Sequence, residues 1–525
     1  MKNNKHLLTI IMTTFLGSLF FSGCSDDFLK PDPLSFYEPG TTYTTESGLS
    51  AALSTSDKHL RDYFFTGGNH TTQMMFSDIG VRGTTDSKNL LTNIDERVTP
   101  TSSLEATYSF WNDTYAGIKY ANTITSYIDK VEGLDQKNKN EYLGRAYFHR
   151  SFRYLMIAFL YKDIPLLTKL IEVPKENYKS TKREAILQML TENMEFAVKW
   201  VPDQKDMATI GMVNKAACRQ LLIKCYLATG QFQKAKDQAD ILIEQSGYSL
   251  MSDNFGQFNP GGEPETWNIT RNVIWDLHRP ENKLISENKE VLLGVISRGS
   301  GNSFAGFSAM RMYGPFWNDS KQTDPNSVYA VRNHARSNKD YNKKLDFLRA
   351  IGRGIADIRP THYATHSLWY VNGNDDKGDL RHNSTVGNWF PMDSLKYNDP
   401  KSTYYGKTFA EVPATCPDTI RAYFGFPHYK LYLKDVLAEE NLSSTNFAGA
   451  SKGGIADWYV YRLAETYLLR AEANYYLGNP AAAAKDVNTI RKRAKCTELY
   501  PEDGTFTIGD IMDERARELY MEEFR

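Results

Sequence analysis

The sequence predicts a mostly α-helical protein, a frame of paired helices carrying one long, irregular, loop-rich insertion. Three observations point to this class. Apolar side chains recur every three or four residues in successive blocks near both ends of the chain. Glycine-containing turns followed by alanine-rich segments join neighbouring blocks, and between about 250 and 455 the periodicity fades into stretches punctuated by Gly, Pro, Asn and Trp.

The first element is a secretory leader. Lys2 and Lys5 precede an uncharged apolar run from Leu7 to Phe21, followed by Ser22, Gly23 and Cys24. Fifteen residues fall short of the roughly 20 that span a bilayer as a helix, so the run is read as a cleaved signal over 1–23. A cysteine directly after Ser-Gly resembles a bacterial lipobox. Cys24 is therefore expected to become the mature N-terminus and to carry acyl chains that anchor the protein to a membrane. Cleavage removes two lysines and no acid, taking the formal charge from −1 to −3. Ser25-Asp26-Asp27 resembles the acidic export signal of surface-exposed lipoproteins and opens a tether over 24–103.

Helical repeats are expected over 104–249. Leu104, Tyr108, Trp111, Tyr115 and Ile118 are spaced four, three, four and three, one face of a helix. Phe148, Phe152, Leu155 and Phe159 form the stripe of a second helix, from about 140 to 161, which ends before Pro165 because proline disfavours helical geometry in the residue preceding it. Further helices are read over 182–200, 213–229 and 232–246. The stretch Ala228-Thr-Gly230-Gln-Phe232 with Ala235 and Ala239 looks like the turn of a tetratricopeptide unit, with Gly for the turn and small Ala for close helix approach. Tyr476-Leu-Gly478-Asn-Pro480 with Ala481 to Ala484 repeats it in a C-terminal helical region over 456–525. Cys218 and Cys225, two turns apart on one face, are read as small buried apolar residues.

Composition narrows the function. Apolar residues at 41% and charged residues at 24% describe a chain that folds in water. Dispersed Lys and Arg, with a net charge of −1, give no basic patch for nucleic acid. No HExxH, GxSxG or P-loop occurs. Gly352-Arg-Gly354 lacks the third glycine of a dinucleotide loop. If Gly378 is set as the sixth position of a calcium loop, Gly373, Lys377 and Ser384 fall where oxygen ligands are needed. His362 and His366 share a helical spacing without a third ligand nearby. No catalytic residue, metal or cofactor is expected.

Five of the eight tryptophans lie in the 250–455 insertion, where a binding face carried on a rigid frame is expected. An aromatic face beside Asn, Asp or Arg is what a sugar ring requires. The candidate ligand residues are Trp317 and Tyr313, with Asn318 and Asp319 beside them, and Trp267, Trp369 and Trp389.

Segments in chain order resemble the SusD/RagB family: Phe110-Trp111 through Asn122; Arg145-Ala-Tyr-Phe through Ile164-Pro165; Val213-Asn214-Lys215 through Gly230; Arg359-Pro360-Thr361 with Gly378-Asp379-Leu380-Arg381; and Tyr461-Arg462 through Glu472, then Val487-Asn488 to Ala494. The resemblance implies a surface-exposed, lipid-anchored outer-membrane protein that binds oligosaccharide without cleaving it and delivers it to a SusC-like TonB-dependent transporter. The alternatives are a helical-repeat adaptor for protein partners and a surface glycoside hydrolase. One departure stands out. A stripe of Ile508, Ile511, Met512, Leu519, Tyr520 and Phe524 runs to the last residue, where the family helix continues, so the chain reads as cut short.

Overall fold

The computed structural model describes residues 39–65, 73–83, 94–99, 101, 105–173, 176–258, 269–297, 308–317, 322–331, 345, 354–412, 415–416, 418–431 and 456–523. The leader, Cys24, the acidic tripeptide, Trp267, Asn318, Asp319 and Phe524 lie outside these residues.

The frame is a run of helices packed largely in sequence order. After α1 (Glu46–Phe65) and a short strand β1 (Gly80–Arg82) come α2 (Phe110–Tyr127), α3 (Gln136–Tyr161), α4 (Arg183–Trp200), α5 (Lys215–Ala228) and α6 (Phe232–Asp240). Each of α2 to α6 packs on the next. Side-chain caps fix their starts. Asp135 accepts the Asn138 N–H at 2.8 Å ahead of α3, and Asn214 accepts the Ala217 N–H at 2.9 Å ahead of α5. Each such cap contributes ~1 kcal/mol. Helix α3 stops at Lys162, whose φ of 67° leaves the helical region, three residues before Pro165. At Gly230, φ is 71° and the chain reverses between α5 and α6, a conformation that side chains with a Cβ disfavour.

A second packing device is a missing side chain. A Cβ at Gly117 in α2 would stand 1.8 Å from the Arg153 Nε of α3, so only glycine lets that guanidinium lie across the helix. There Arg153 reaches His59 of α1 at 2.7 Å.

The stretch read as the insertion, 250–455, opens with α7 (Val273–His278) and strand β2 (Val291–Val295). Its described part holds short elements: α8 (Ser308–Tyr313), β3 (Ile358–Pro360), α9 (His362–Thr365), β4 (Trp389–Phe390), α10 (Thr419–Ala422) and β5 (Phe426–Pro427). The chain returns along β6 (Trp458–Arg462), antiparallel to β2. Helices α11 (Leu463–Tyr476), α12 (Pro480–Arg493) and α13 (Ile508–Glu518) complete the frame. The tetratricopeptide-like frame with an irregular insertion is thus the observed architecture. The two Gly turns meet: Phe232 stacks on Tyr476 with centroids 4.7 Å apart and planes at 18°. Ala235 and Ala239 on one side, and Ala471, Ala483 and Ala484 on the other, are fully buried.

Three expectations are corrected. The first stripe opens in a π turn over Glu105–Ser109 that holds Tyr108, and α-helix follows only from Phe110; Ile118 and Phe148 are buried, while Tyr108 and Phe159 are each 55% exposed. Helix 232–246 is α-helical only to Asp240 and widens into a π turn over Ile241–Gln245. The C-terminal stripe is not one continuous helix. Helix α13 ends at Glu518, and Met521, with φ of 66°, turns back into the core. Cys218 and Cys225 are buried, and burial pushes the Cys225 thiol up to about 12.

Insertion and frame are joined by a buried lattice of charge. Arg462 of β6 donates to Glu290 at 2.5 Å, to Glu518 at 2.9 Å and to Glu522 at 2.5 Å. Arg493 of α12 pairs with Glu290 at 3.0 Å and with Glu518. From the insertion, Arg381 bonds Asp379 at 2.7 Å, Glu514 at 2.7 Å and Glu518 at 3.0 Å, and Lys430 reaches Glu522 at 2.7 Å. Arg491 bridges Asp376 at 2.7 Å and Glu514 at 2.9 Å, and Arg517 adds a further bond to Glu514 at 2.7 Å. Six cations thus face six carboxylates (Glu290, Asp376, Asp379, Glu514, Glu518 and Glu522), all of them buried.

Burial alone would raise the pKa of Glu514, but the guanidinium groups of Arg381, Arg491 and Arg517 outweigh it and hold the carboxyl at about 2. Because the folded value lies below the ordinary 4.5, this stabilisation is complete above about pH 4.5 and is lost as pH falls from there through about 2. Glu518 and Glu522 are lowered in the same sense. The melting temperature is therefore expected to drop steeply below about pH 4.5. Glu514→Gln should cost roughly 3–5 kcal/mol at neutral pH by leaving buried guanidinium groups unmatched, measured by denaturant titration.

Candidate ligand-binding face

Strands β1 and β3 form the base of this face, with Val81 opposite Arg359 and Arg82 opposite Ile358. The Thr361 hydroxyl donates to the Asp78 carbonyl at 2.6 Å and ties the ends of the two strands together. Past β1 the segments approach so closely that a Cβ at Gly83 would lie 1.7 Å from the Ala356 carbonyl oxygen. This places Arg82 beside Asp357, which it grips with two bonds, Nη1 at 3.1 Å and Nη2 at 3.0 Å.

Helix α10 adds the next pair. Asp418 caps it by accepting the Arg421 N–H at 3.2 Å, and the Arg421 guanidinium stands 3.6 Å from the same carboxylate. Arg421 also donates to the Ile355 carbonyl and lies over the Phe316 ring, 4.8 Å from its centroid. The Phe316 backbone N–H donates to the Arg421 carbonyl at 2.9 Å, so ring and guanidinium are held in register. Burial raises the Asp357 pKa, opposed by Arg82 and Arg421. Phe316, Arg82, Arg359 and Arg421 are all partly exposed. Flat ring and fixed donors together suit hydroxyl-rich ligands.

Trp317 and Tyr313, foremost among the residues expected to meet ligand, are 0% and 2% exposed. Tyr313 packs edge-on to Tyr520 at 6.3 Å. As placed they are the floor of the face, and the partly exposed ring of this segment is their neighbour Phe316. The reason is physical: Gly314 and Pro315 are themselves buried, and Gly354 packs so closely on them that a Cβ there would lie 2.2 Å from the Pro315 carbonyl oxygen.

Trp369 and Trp389 come together elsewhere, with a histidine the sequence reading did not select. Trp369 stacks on His382 at 4.4 Å and 6°, and His382 meets Trp389 edge-on at 4.4 Å. The Trp369 Nε1–H donates to the Ala364 carbonyl at 2.9 Å. Burial pushes His382 down to about 4, so it is neutral near pH 7. The cavity beside this knot, lined by Leu368, Trp369, Trp389, Tyr429 and Tyr520 among others, is about 20 Å³. That admits one water and no sugar ring. Trp369 is 6% exposed, and Trp389 keeps a partly exposed edge.

His362 and His366 stack on each other at 4.4 Å and 6°. Asp376, from the stretch tested as a calcium loop, accepts the Thr497 hydroxyl at 2.8 Å, the Thr497 N–H at 3.0 Å and an Arg491 guanidinium bond. Among the described residues no group of three or more His, Cys, Asp or Glu side chains could hold a metal ion, and no helix is long and apolar enough to cross a membrane.

A helical-repeat frame presenting a polar and aromatic face on an irregular insertion defines a ligand-binding class of protein. Known families fit it. The SusD family pattern matches residues 319–525, and a pattern described as "starch-binding associating with outer membrane" matches residues 61–227. SusD-like protein P2 of Formosa agariphila is 26% identical over 250 residues, 46% of this chain and 46% of P2, so the match spans about half of that relative's length. Two solved structures share the fold. One is a laminarin binding SusD-like protein (TM-score 0.60, 19% identity, covering 91% of this chain and 90% of the other). The second is surface glycan-binding protein A from Bacteroides thetaiotaomicron in complex with laminarihexaose (TM-score 0.59, 17% identity, 91% and 88%). The chain is thus SusD-like over residues 61–227 and 319–525, and its fold is that of the SusD-like structures.

Truncating the floor and truncating the surface should have different effects. Trp317→Ala is expected to lower stability by roughly 3–5 kcal/mol through the cavity it leaves, read as a fall in melting temperature and denaturant midpoint. An unchanged midpoint would place Trp317 outside the core.

Proposed function

We propose that this protein is a surface lipoprotein that captures oligosaccharide on the Phe316 face and passes it to a SusC-like TonB-dependent outer-membrane transporter. The observation that carries the reading is a partly exposed ring beside a fixed guanidinium donor on the insertion: Phe316 under Arg421, which is held by Asp418 and the Ile355 carbonyl. The match to a pattern described as starch-binding supports a glycan as the ligand class, and the laminarihexaose complex of the structural neighbour is in keeping with it. The lipobox at Cys24 and the acidic residues after it support the anchor and an outward orientation. Trp389, with its partly exposed edge, is a secondary contact in this reading; Trp267 is a candidate that rests on the sequence alone.

We read the protein as a binder and not a hydrolase. A glycosidase needs two carboxyl groups able to act as acid and as base or nucleophile. On this face Asp357 and Asp418 are tied to Arg82 and Arg421, which disfavours both roles.

Two measurements test the proposal. In calorimetric titration of oligosaccharides including laminarihexaose, Phe316→Ala should weaken binding about tenfold, or ~1.4 kcal/mol, without lowering the melting temperature. Binding unchanged by that substitution moves the site off this face. Cys24→Ala should leave the protein unprocessed or in the soluble fraction. Retention with membranes after a high-salt wash would refute the anchor.

A further inference from the structure

The frame holds one stretch of its own chain in the way a receptor holds a peptide. After α3 the chain pairs briefly with itself, Ile164 opposite Thr181 and Pro165 opposite Ser180. Residues 166–170 then lie against both α2 and α3 without helix or strand. Main-chain polar groups taken from water need partners. Among the described residues no main-chain group from Leu166 to Leu170 bonds another main-chain group, and side chains of the two helices serve instead. From α2, the Tyr115 hydroxyl donates to the Pro165 carbonyl at 2.7 Å, and Asn122 Nδ2 donates to the carbonyls of Leu167 at 2.8 Å and Lys169 at 3.3 Å. The Thr125 hydroxyl donates to the Thr168 carbonyl at 3.3 Å, and the Ser126 hydroxyl accepts the Leu170 N–H at 2.9 Å. From α3, the Tyr154 hydroxyl accepts the Leu167 N–H at 2.6 Å, and Arg150 donates to the Thr168 carbonyl at 3.0 Å.

Two features distinguish this from an ordinary surface loop. The clamp is fixed: Asn122, Arg150 and Tyr154 are buried, and Arg150 also donates to Asn122 Oδ1 at 3.1 Å, which turns the amide nitrogen toward the strap. The clamp also reads main chain and not side chains. Thr168 and Lys169 are exposed, and apolar anchoring is strongest at the ends, where Ile164 is buried and Leu170 packs against the cluster of Leu49 and Tyr127. Fixed donors and acceptors aimed at a peptide backbone hold an extended segment with little regard to its sequence. An empty clamp would leave Asn122, Arg150 and Tyr154 buried without these partners, so one chain can leave it only as another enters.

We propose that α2 and α3 form a binding surface for an extended peptide, that residues 165–170 are its built-in ligand, and that a segment of a protein partner enters only where this strap has lifted. The strap closes the surface in the free protein. Helical-repeat frames bind partners along such surfaces, and here the chain itself competes for the place. None of the residues of the Phe316 face takes part.

Lifting is read first in the intact protein. In native-state hydrogen exchange the Leu167 and Leu170 amides should exchange about tenfold or more faster than the central amides of α2 and α3, because the strap opens while the helices stay paired. Exchange of all these amides only through global unfolding overturns the inference. The surface is then tested with a second chain. Replacing residues 166–179 by Asn-Gly closes the hairpin at its base, Pro165 with Ser180, and frees the clamp. A labelled synthetic peptide of residues 164–171 should bind this variant about tenfold or more tightly than the parent and raise its melting temperature. The same peptide with both central residues, Thr168 and Lys169, replaced by Ser should bind equally well. Where the excision prevents folding, Leu167→Pro with Leu170→Pro takes its place, since it removes two strap donors and leaves the clamp intact. Adding Asn122→Ala to the open variant should weaken peptide binding about tenfold, or ~1.4 kcal/mol. A folded open variant that takes up no peptide, or one indifferent to Asn122→Ala, overturns the inference.

Discussion

The buried charge lattice around Glu514, Glu518 and Glu522 is the constraint on which the rest of the structure depends. Removing a dozen charged groups from water costs several kcal/mol each, and only near-complete mutual pairing offsets it. The lattice meets that condition because carboxylates from α13 and the turn after it, from the strand entry at Glu290 and from the insertion meet guanidinium groups projected by β6, α12 and the insertion. Its geometry cannot be satisfied in part. Arg462 and Arg493 share Glu290 and Glu518, and Arg381 and Arg491 share Glu514, so displacing one group leaves two or three others short of a partner.

This arrangement explains how an irregular segment presents a defined face. Short strands and single-turn helices have little intrinsic stability. They hold position because Asp376, Asp379, Arg381 and Lys430, all within the insertion, are locked into the lattice, and because β2 and β6 bring the two ends of the insertion side by side. Inside the lattice each guanidinium is matched by carboxylates; on the face, Arg82 and Arg421 are each held by one, Asp357 and Asp418.

Much of the frame was legible in the sequence. The helices follow from three- and four-residue spacing, and several of their ends from Pro165 and the glycines at 230 and 478, because these signals act over a few residues. What escaped acts over long distances. Arg462 and Glu290 are 172 residues apart, and Arg381 and Glu514 are 133 apart, so nothing local marks them as partners. The segments that carry the family resemblance, Asp379 with Arg381, Tyr461-Arg462 and the helix around Arg491 and Arg493, contribute many of these buried charges. The candidate face was located only roughly. Spacing and composition brought attention to Tyr313 and Trp317, but which of three consecutive side chains, Pro315, Phe316 or Trp317, stays exposed depends on the close approach of Gly354, which a sequence does not display. Arg82 and Arg421 had no local signal at all.

The lattice also bears on the order of folding. The helices from α2 to α6 pack largely on neighbours in sequence, contacts whose closure costs little chain entropy. Arg381 and Arg462 depend instead on Glu514 and Glu518, 133 and 56 residues away, so a long loop must close before either charge is matched. Until α13 docks, these cations keep their water, and its docking is the step that dries the seam between insertion and frame.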